Sequence, residues 1–93
     1  MAAYAVRLTA GARRELQGLA EPVRQQVRHA LHRLGSAPRP PGATLLSGTR
    51  AERIWRIRVG DYRVLYQILE TQLVVLVVRL GHRREVYRAR GGR

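Results

Sequence analysis

At 93 residues and without a cysteine, the chain suffices for one domain with a modest core, burying about 60–65% of the surface its unfolded form exposes, and it excludes a disulfide framework or a cysteine-based metal site. Its formal charge is +12, a balance that favours phosphate backbones or an acidic protein partner and that repels itself in the compact monomer. Three scattered histidines lack the carboxylates of a metal site, the longest unbroken apolar run (residues 73–78) is far short of a membrane span, and no charged-then-apolar leader opens the sequence, so a soluble, cytosolic protein without metal, cofactor or membrane is expected.

In chain order, Tyr4, Val6 and Leu8 alternate with Ala5 and Arg7, the pattern of a short strand with the larger apolar side chains inward. Thr9 suits an N-cap for a helix over residues 10–19, where Ala12, Leu16 and Leu19 recur at helical spacing and Gly18 weakens the end. A second helix starts at Pro22, which is tolerated in a first turn because the N–H it lacks would have no partner there. Val23, Val27, Ala30, Leu31 and Leu34 form its apolar stripe, and Gly35 is expected to end it as the C′ residue. These two helices form an αα-hairpin with one apolar edge each, ready to cover a sheet. Three prolines within residues 36–42 exclude regular structure and predict a stiff surface loop. Residues 44–53 carry no decisive pattern and suggest at most an edge segment.

The strongest local signal lies in residues 54–66. Two runs rich in β-branched and aromatic residues alternate with arginine, and Gly60-Asp61 between them supplies a tight turn, so the stretch reads as a β-hairpin. With Val59 and Tyr62 flanking the turn, Arg58 falls opposite Arg63 and Arg56 opposite Leu65. One face then carries these arginines, and the other collects Trp55, Ile57, Val59, Tyr62, Val64 and Tyr66 for burial. After a short loop, residues 73–80 are apolar on both faces and predict a central strand. A three-residue loop sets Leu69 opposite Leu73 and carries Arg79 to a position opposite Arg63, a placement that a slip of one residue would undo. Residues 1–90 are expected to form one α+β domain in the order β-α-α-β-β-β, two helices on one face of a small, mainly antiparallel sheet, with residues 91–93 a disordered tail.

Two blocks carry a resemblance to a known family. Trp55-Arg56-Ile57-Arg58-Val59-Gly60-Asp61-Tyr62-Arg63-Val64-Leu65-Tyr66 and Leu80-Gly81-His82-Arg83-Arg84-Glu85-Val86-Tyr87, at this spacing and after a two-helix region, resemble the signature of the RelE branch of the RelE/ParE toxins of bacterial type II toxin–antitoxin systems. The likeness covers nearly the whole chain. It implies an mRNA interferase that enters the ribosomal A site, contacts 16S rRNA and cuts translated mRNA. It also implies a co-expressed acidic antitoxin, RelB-like or other and DNA-binding, that wraps and silences the toxin and provides its only link to operator DNA. Carried over by position, the family's basic strand residues fall on Arg56 and Arg58, its hairpin arginine on Arg63, its C-terminal arginine on Arg83 or the adjacent Arg84, and its C-terminal tyrosine on Tyr87. His82 stands where relatives carry basic residues. Arg56, Arg58, Arg79 and Arg84 are the expected phosphate binders; Arg63, Arg83, Tyr87 and His82 are the expected catalytic set.

RNA cleavage by 2′-hydroxyl attack needs stabilisation of the phosphorane charge, a base for the 2′ proton and an acid for the leaving 5′ oxygen. Arginine meets the first need through bidentate contacts to phosphate oxygens. Its effective pKa, above about 12, makes it a poor base, so that burden moves to His82, Tyr87 or Glu85. The absence of lysine is mostly compositional, as the codon bias of a GC-rich genome gives. The same residues also admit plainer roles: Arg56 and Arg58 as a solvated strand face, Arg63 as a partner of Asp61 or Glu52, His82 as a surface loop residue, and Trp55, Tyr62 and Tyr87 as core or its edge. Three functions stay open on the sequence: the ribosome-dependent nuclease, a ParE-like inhibitor of DNA gyrase, and an inactive relic that only binds antitoxin.

Overall fold

Described by a computed structural model over residues 3–47 and 53–82, the chain begins with strand β1 (Ala5–Leu8) and turns at once into helix α1 (Ala10–Gln17). Thr9 makes that turn. Its Oγ1 accepts from the Ala12 amide at 3.1 Å, capping the helix, and donates to the Val78 carbonyl at 3.3 Å, while its own amide donates to the Val77 carbonyl at 3.0 Å. Helix α2 (Glu21–Ser36) follows with Pro22 in its first turn, as expected. Four strands complete the described chain: β2 (Thr44–Ser47), β3 (Ile54–Val59), β4 (Tyr62–Leu69) and β5 (Val74–His82).

The five strands form one sheet in the order β1-β5-β4-β3-β2. This corrects the expected β-α-α-β-β-β order by one strand, because Thr44–Ser47 pairs antiparallel with β3 through Thr44↔Arg56 and Leu45↔Trp55, then slips past Leu46 to Ser47↔Ile54. The sheet is also mixed, since β1 runs parallel to β5, from Ala5↔Val74 to Leu8↔Val77. No helix among the described residues is long and apolar enough to cross a membrane.

The hairpin of β3 and β4 has the expected register, with Arg58↔Arg63 and Arg56↔Leu65. Gly60 takes φ +60°, the conformation that the first central position of a type II′ turn demands and that only glycine adopts without strain. The β4–β5 register differs from expectation. Leu69 pairs with Val74, not Leu73, and between Leu65↔Arg79 and Tyr66↔Val77 the residue Val78 is left over as a bulge. Arg79 therefore stands beside Leu65, and Gly81 takes the place opposite Arg63.

Both helices cover one face of the sheet. Ala12 and Leu16 of α1 and Val27, Leu31 and Leu34 of α2 pack with Ile57, Val64, Tyr66, Val75, Val77 and Leu80, all buried. On the opposite face a smaller cluster joins Ile54 and Leu65 with Leu46 and Val78. Gly35 does not end α2, which continues to Ser36. Its function is close approach: the Tyr4 amide donates to the Gly35 carbonyl at 2.7 Å, and a Cβ at position 35 would lie 2.9 Å from the Tyr4 oxygen.

Candidate nucleic-acid interface

Strict alternation along β3 and β4 sends Ile57 and Val64 to the helix side, so Arg56, Arg58 and Arg63 share the other face. Arg58 and Arg63 are directly opposed, a like-charge pair that repels by on the order of 1 kcal/mol near a surface. Among the described residues neither has an ion-pair partner, and Arg63 Nε is buried with no hydrogen-bond partner. Arg56 Nη2 donates to Thr44 Oγ1 at 3.2 Å. Such a pair is stabilised by an anion that both guanidinium groups can reach.

The other expected residues are distributed differently. His82 lies opposite Tyr62 and so on the helix side of the sheet, not on the face of Arg58 and Arg63, and the Tyr62 and His82 rings meet edge to face at 5.7 Å and 82°. Both border a 450 Å³ cleft beside the end of α1 together with Glu15, Leu19 and Arg79. Arg79 is held there by Glu15, whose carboxylate also accepts from the Leu80 amide. The register keeps Arg79 opposite Leu65, on the face of Arg56 and Arg63, and it is the pairing with Glu15 that draws its guanidinium away from the expected phosphate site. Arg83, Arg84, Glu85 and Tyr87 lie outside the described residues.

Two features of the neighbourhood were not singled out in the sequence. The first is a 440 Å³ cleft between α2 and β3, to which Arg33 contributes alongside Arg56 and Arg58 over a floor of Ala30, Leu34 and Ile57. Its outer wall is the proline loop, here Pro40, Pro41 and Gly42. The second is the bracing of that loop. Tyr66 donates its hydroxyl to the Pro38 carbonyl at 2.6 Å, and burial of its ring pushes its pKa up to about 12. Arg39 pairs with Glu70 and sets its guanidinium 5.3 Å over the Trp55 ring. Arginine beside a proline run and a tryptophan downstream was the available signal, but nothing in the sequence fixes which meets which.

A family model described as the ParE toxin of the type II toxin–antitoxin system parDE matches residues 6–87. Toxin RelG of Mycobacterium tuberculosis is 35% identical to this chain over 89 residues, spanning 91% of this chain and 97% of that one. The toxin fold in the archaeal RelE–RelB complex from Pyrococcus horikoshii superposes with a TM-score of 0.77 at 26% identity, covering 87% of this chain and 96% of that one. Isolated Escherichia coli RelE gives 0.74 at 27%, covering 86% and 84%. The chain belongs to the RelE/ParE superfamily of type II toxins and, within it, to the RelE-like branch.

Proposed function

We propose that this toxin is an endoribonuclease that needs no metal, cuts translated mRNA in the ribosomal A site and is neutralised by a cognate acidic antitoxin. One observation carries the reading: two guanidinium groups, Arg58 and Arg63, face each other across the hairpin without an ion-pair partner among the described residues, and Arg56 lies on the same face. A phosphodiester bound there gains bidentate contacts that strengthen as charge accumulates on the phosphorane oxygens. The 2′ oxygen attacks phosphorus, the bond to the 5′ oxygen breaks, and the products are a 2′,3′-cyclic phosphate and a 5′-hydroxyl. Arg83 joins the charge stabilisation in this scheme, Tyr87 removes the 2′ proton, and the leaving oxygen takes a proton from water, His82 being set opposite Tyr62 on the helix side of the sheet. Arg56, Arg58 and Arg84 bind flanking phosphates. Arg79 is withdrawn from that group by its pairing with Glu15.

The antitoxin is supported by the solved complexes of similar chains with RelB from Pyrococcus horikoshii and with the partner of the Mycobacterium tuberculosis RelBE2 pair. The charge of +12 supports an acidic one. Purified chain added to ribosomes translating a defined message is expected to produce new 5′-hydroxyl ends inside codons, and naked message is expected to stay intact. Arg63→Ala should slow the cut by about 10²-fold or more. Because the matching family model is that of ParE toxin, a supercoiling assay with DNA gyrase runs beside it; inhibition there with no RNA ends would overturn the nuclease reading.

A further inference from the structure

A third cleft, of 390 Å³, opens on the helix side of the sheet at the end of β3 and β4 remote from their turn. Arg39, Arg53, Trp55, Ile68, Glu70 and Thr71 line it. None of them belongs to the arginine face: Trp55 lies three residues from Arg58, about 10 Å along β3, and points to the opposite side of the sheet. Arg39 is fixed there at both ends. Pro38 and Pro40 restrict its backbone, the Pro38 carbonyl accepts from Tyr66, and its guanidinium pairs with Glu70 over the Trp55 ring. At 46% exposure, that side chain keeps its outward side for a ligand. Arg53 is exposed and has no hydrogen bond or ion pair among the described residues.

We infer that this cleft binds a nucleotide, with the base against Arg39 and Trp55, the N–H edge of the base donating to Glu70, and the phosphate on Arg53 and the Thr71 hydroxyl. The lining selects that chemistry. An indole and a pinned guanidinium offer a planar π-system two surfaces to lie on, and an unpaired arginine offers a phosphate two parallel hydrogen bonds. Glu70 accepts from the N–H groups of a base but repels an acidic peptide. Bare phosphate leaves Trp55 and Ile68 without a partner. The volume falls within the range of small-molecule sites, about 300–1,000 Å³. Because Arg39 is already immobilised, binding is spared the ordering cost of a free arginine. Two sources supply this chemistry, a free mononucleotide and an unpaired residue of an RNA strand, and the titrations below separate them.

Trp55 is the sole tryptophan of the chain, so its emission reports on this cleft. The full chain is titrated with adenosine monophosphate, adenosine, inorganic phosphate and a six-residue oligoadenylate without terminal phosphates, with excitation at the red edge where tyrosine does not absorb. The monophosphate is expected to change the emission saturably, adenosine to bind about tenfold more weakly, and phosphate alone to leave the emission unchanged. Arg53→Glu should weaken the monophosphate about tenfold, Arg53→Lys much less and Arg63→Ala not at all, with unchanged melting temperatures certifying the fold. Tighter binding of the monophosphate than of the oligoadenylate identifies a free nucleotide as the ligand, and the reverse identifies an RNA strand. Four results overturn the inference: no saturable change with either nucleotide ligand, phosphate alone changing the emission as strongly, equal affinity in Arg53→Glu, or loss of binding in Arg63→Ala, which would place the ligand on the arginine face. RNA cleavage is read separately as new 5′ ends, so an empty cleft leaves the nuclease reading standing, and an inactive nuclease leaves the nucleotide site standing.

Discussion

Glu15 of α1 holds Arg79 of β5 by two contacts, Nε at 2.8 Å and Nη2 at 2.7 Å, and spends its other oxygen on the Leu80 amide at 2.9 Å. One carboxylate thus ties a helix to the end of β5, where β1 no longer borders it after Leu8↔Val77. Both side chains are about a quarter exposed, at 26% and 28%, so the pair is screened more than a fully buried one. Glu15→Ala is expected to cost about 1.5–2.5 kcal/mol in urea denaturation, since it leaves the Leu80 N–H and the guanidinium without their acceptor. Arg79→Ala should cost less because the Leu80 bond survives. Equal stability of Glu15→Ala and wild type would show that the clasp is incidental.

Tyr66→Phe keeps the buried ring and deletes the bond to Pro38, for an expected loss of about 1–2 kcal/mol. The pH dependence carries a second signature. The folded pKa of about 12 lies above the value of 10.0 of a free tyrosine, so the folded state holds its proton more tightly. The stability this provides is complete below pH 10 and is lost between pH 10 and about 12. Alkaline denaturation of wild type and Tyr66→Phe should therefore converge over that interval, and parallel curves would contradict the assignment.

Gly35→Ala tests a glycine whose position reads as a helix end. Within an exposed helix the change usually stabilises by about 0.5–1 kcal/mol. Here the added methyl meets the backbone oxygen of Tyr4 at 2.9 Å, so β1 or α2 must shift. A net loss of about 1–3 kcal/mol is expected in a thermal melt, and a gain would mean that the β1–α2 contact yields easily.

The Arg58–Arg63 pair predicts a trade between stability and activity. Arg58→Thr removes a cross-strand repulsion and adds a β-branched residue, so it should leave the fold unharmed or stabilise it by up to about 1 kcal/mol. It should also weaken RNA binding and flatten its salt dependence by about one phosphate contact. Lower stability with unchanged RNA affinity would place the two arginines in a structural role.

The hairpin was legible because its signals are local: alternation over residues 54–66 and a glycine where the turn needs positive φ fix the register without reference to the rest of the chain. Helix stripes such as Val27, Leu31 and Leu34 were legible for the same reason. What stayed hidden depends on distant partners. Thr44–Ser47 is four residues long, and only β3 beside it makes it a strand. The bulge at Val78 changes the partner of Arg79 to Leu65, and Glu15 of α1 draws its side chain aside; no property of residues 73–80 announces either. Gly35 looks like a C′ residue until β1 is seen lying against it. The arginine face could be read from register alone, but the cleft holding Arg33 could not, because it needs the relative placement of α2, the proline loop and β3.

The most direct test of the central claim is to induce this chain without an antitoxin in bacterial cells, beside Arg63→Ala produced at equal level, and to map RNA 5′ ends across a translated message. Growth arrest with new 5′-hydroxyl ends inside codons, in wild type only, is the predicted result. Arrest without RNA ends, or identical ends in Arg63→Ala, would contradict the nuclease reading built on the Arg58–Arg63 face.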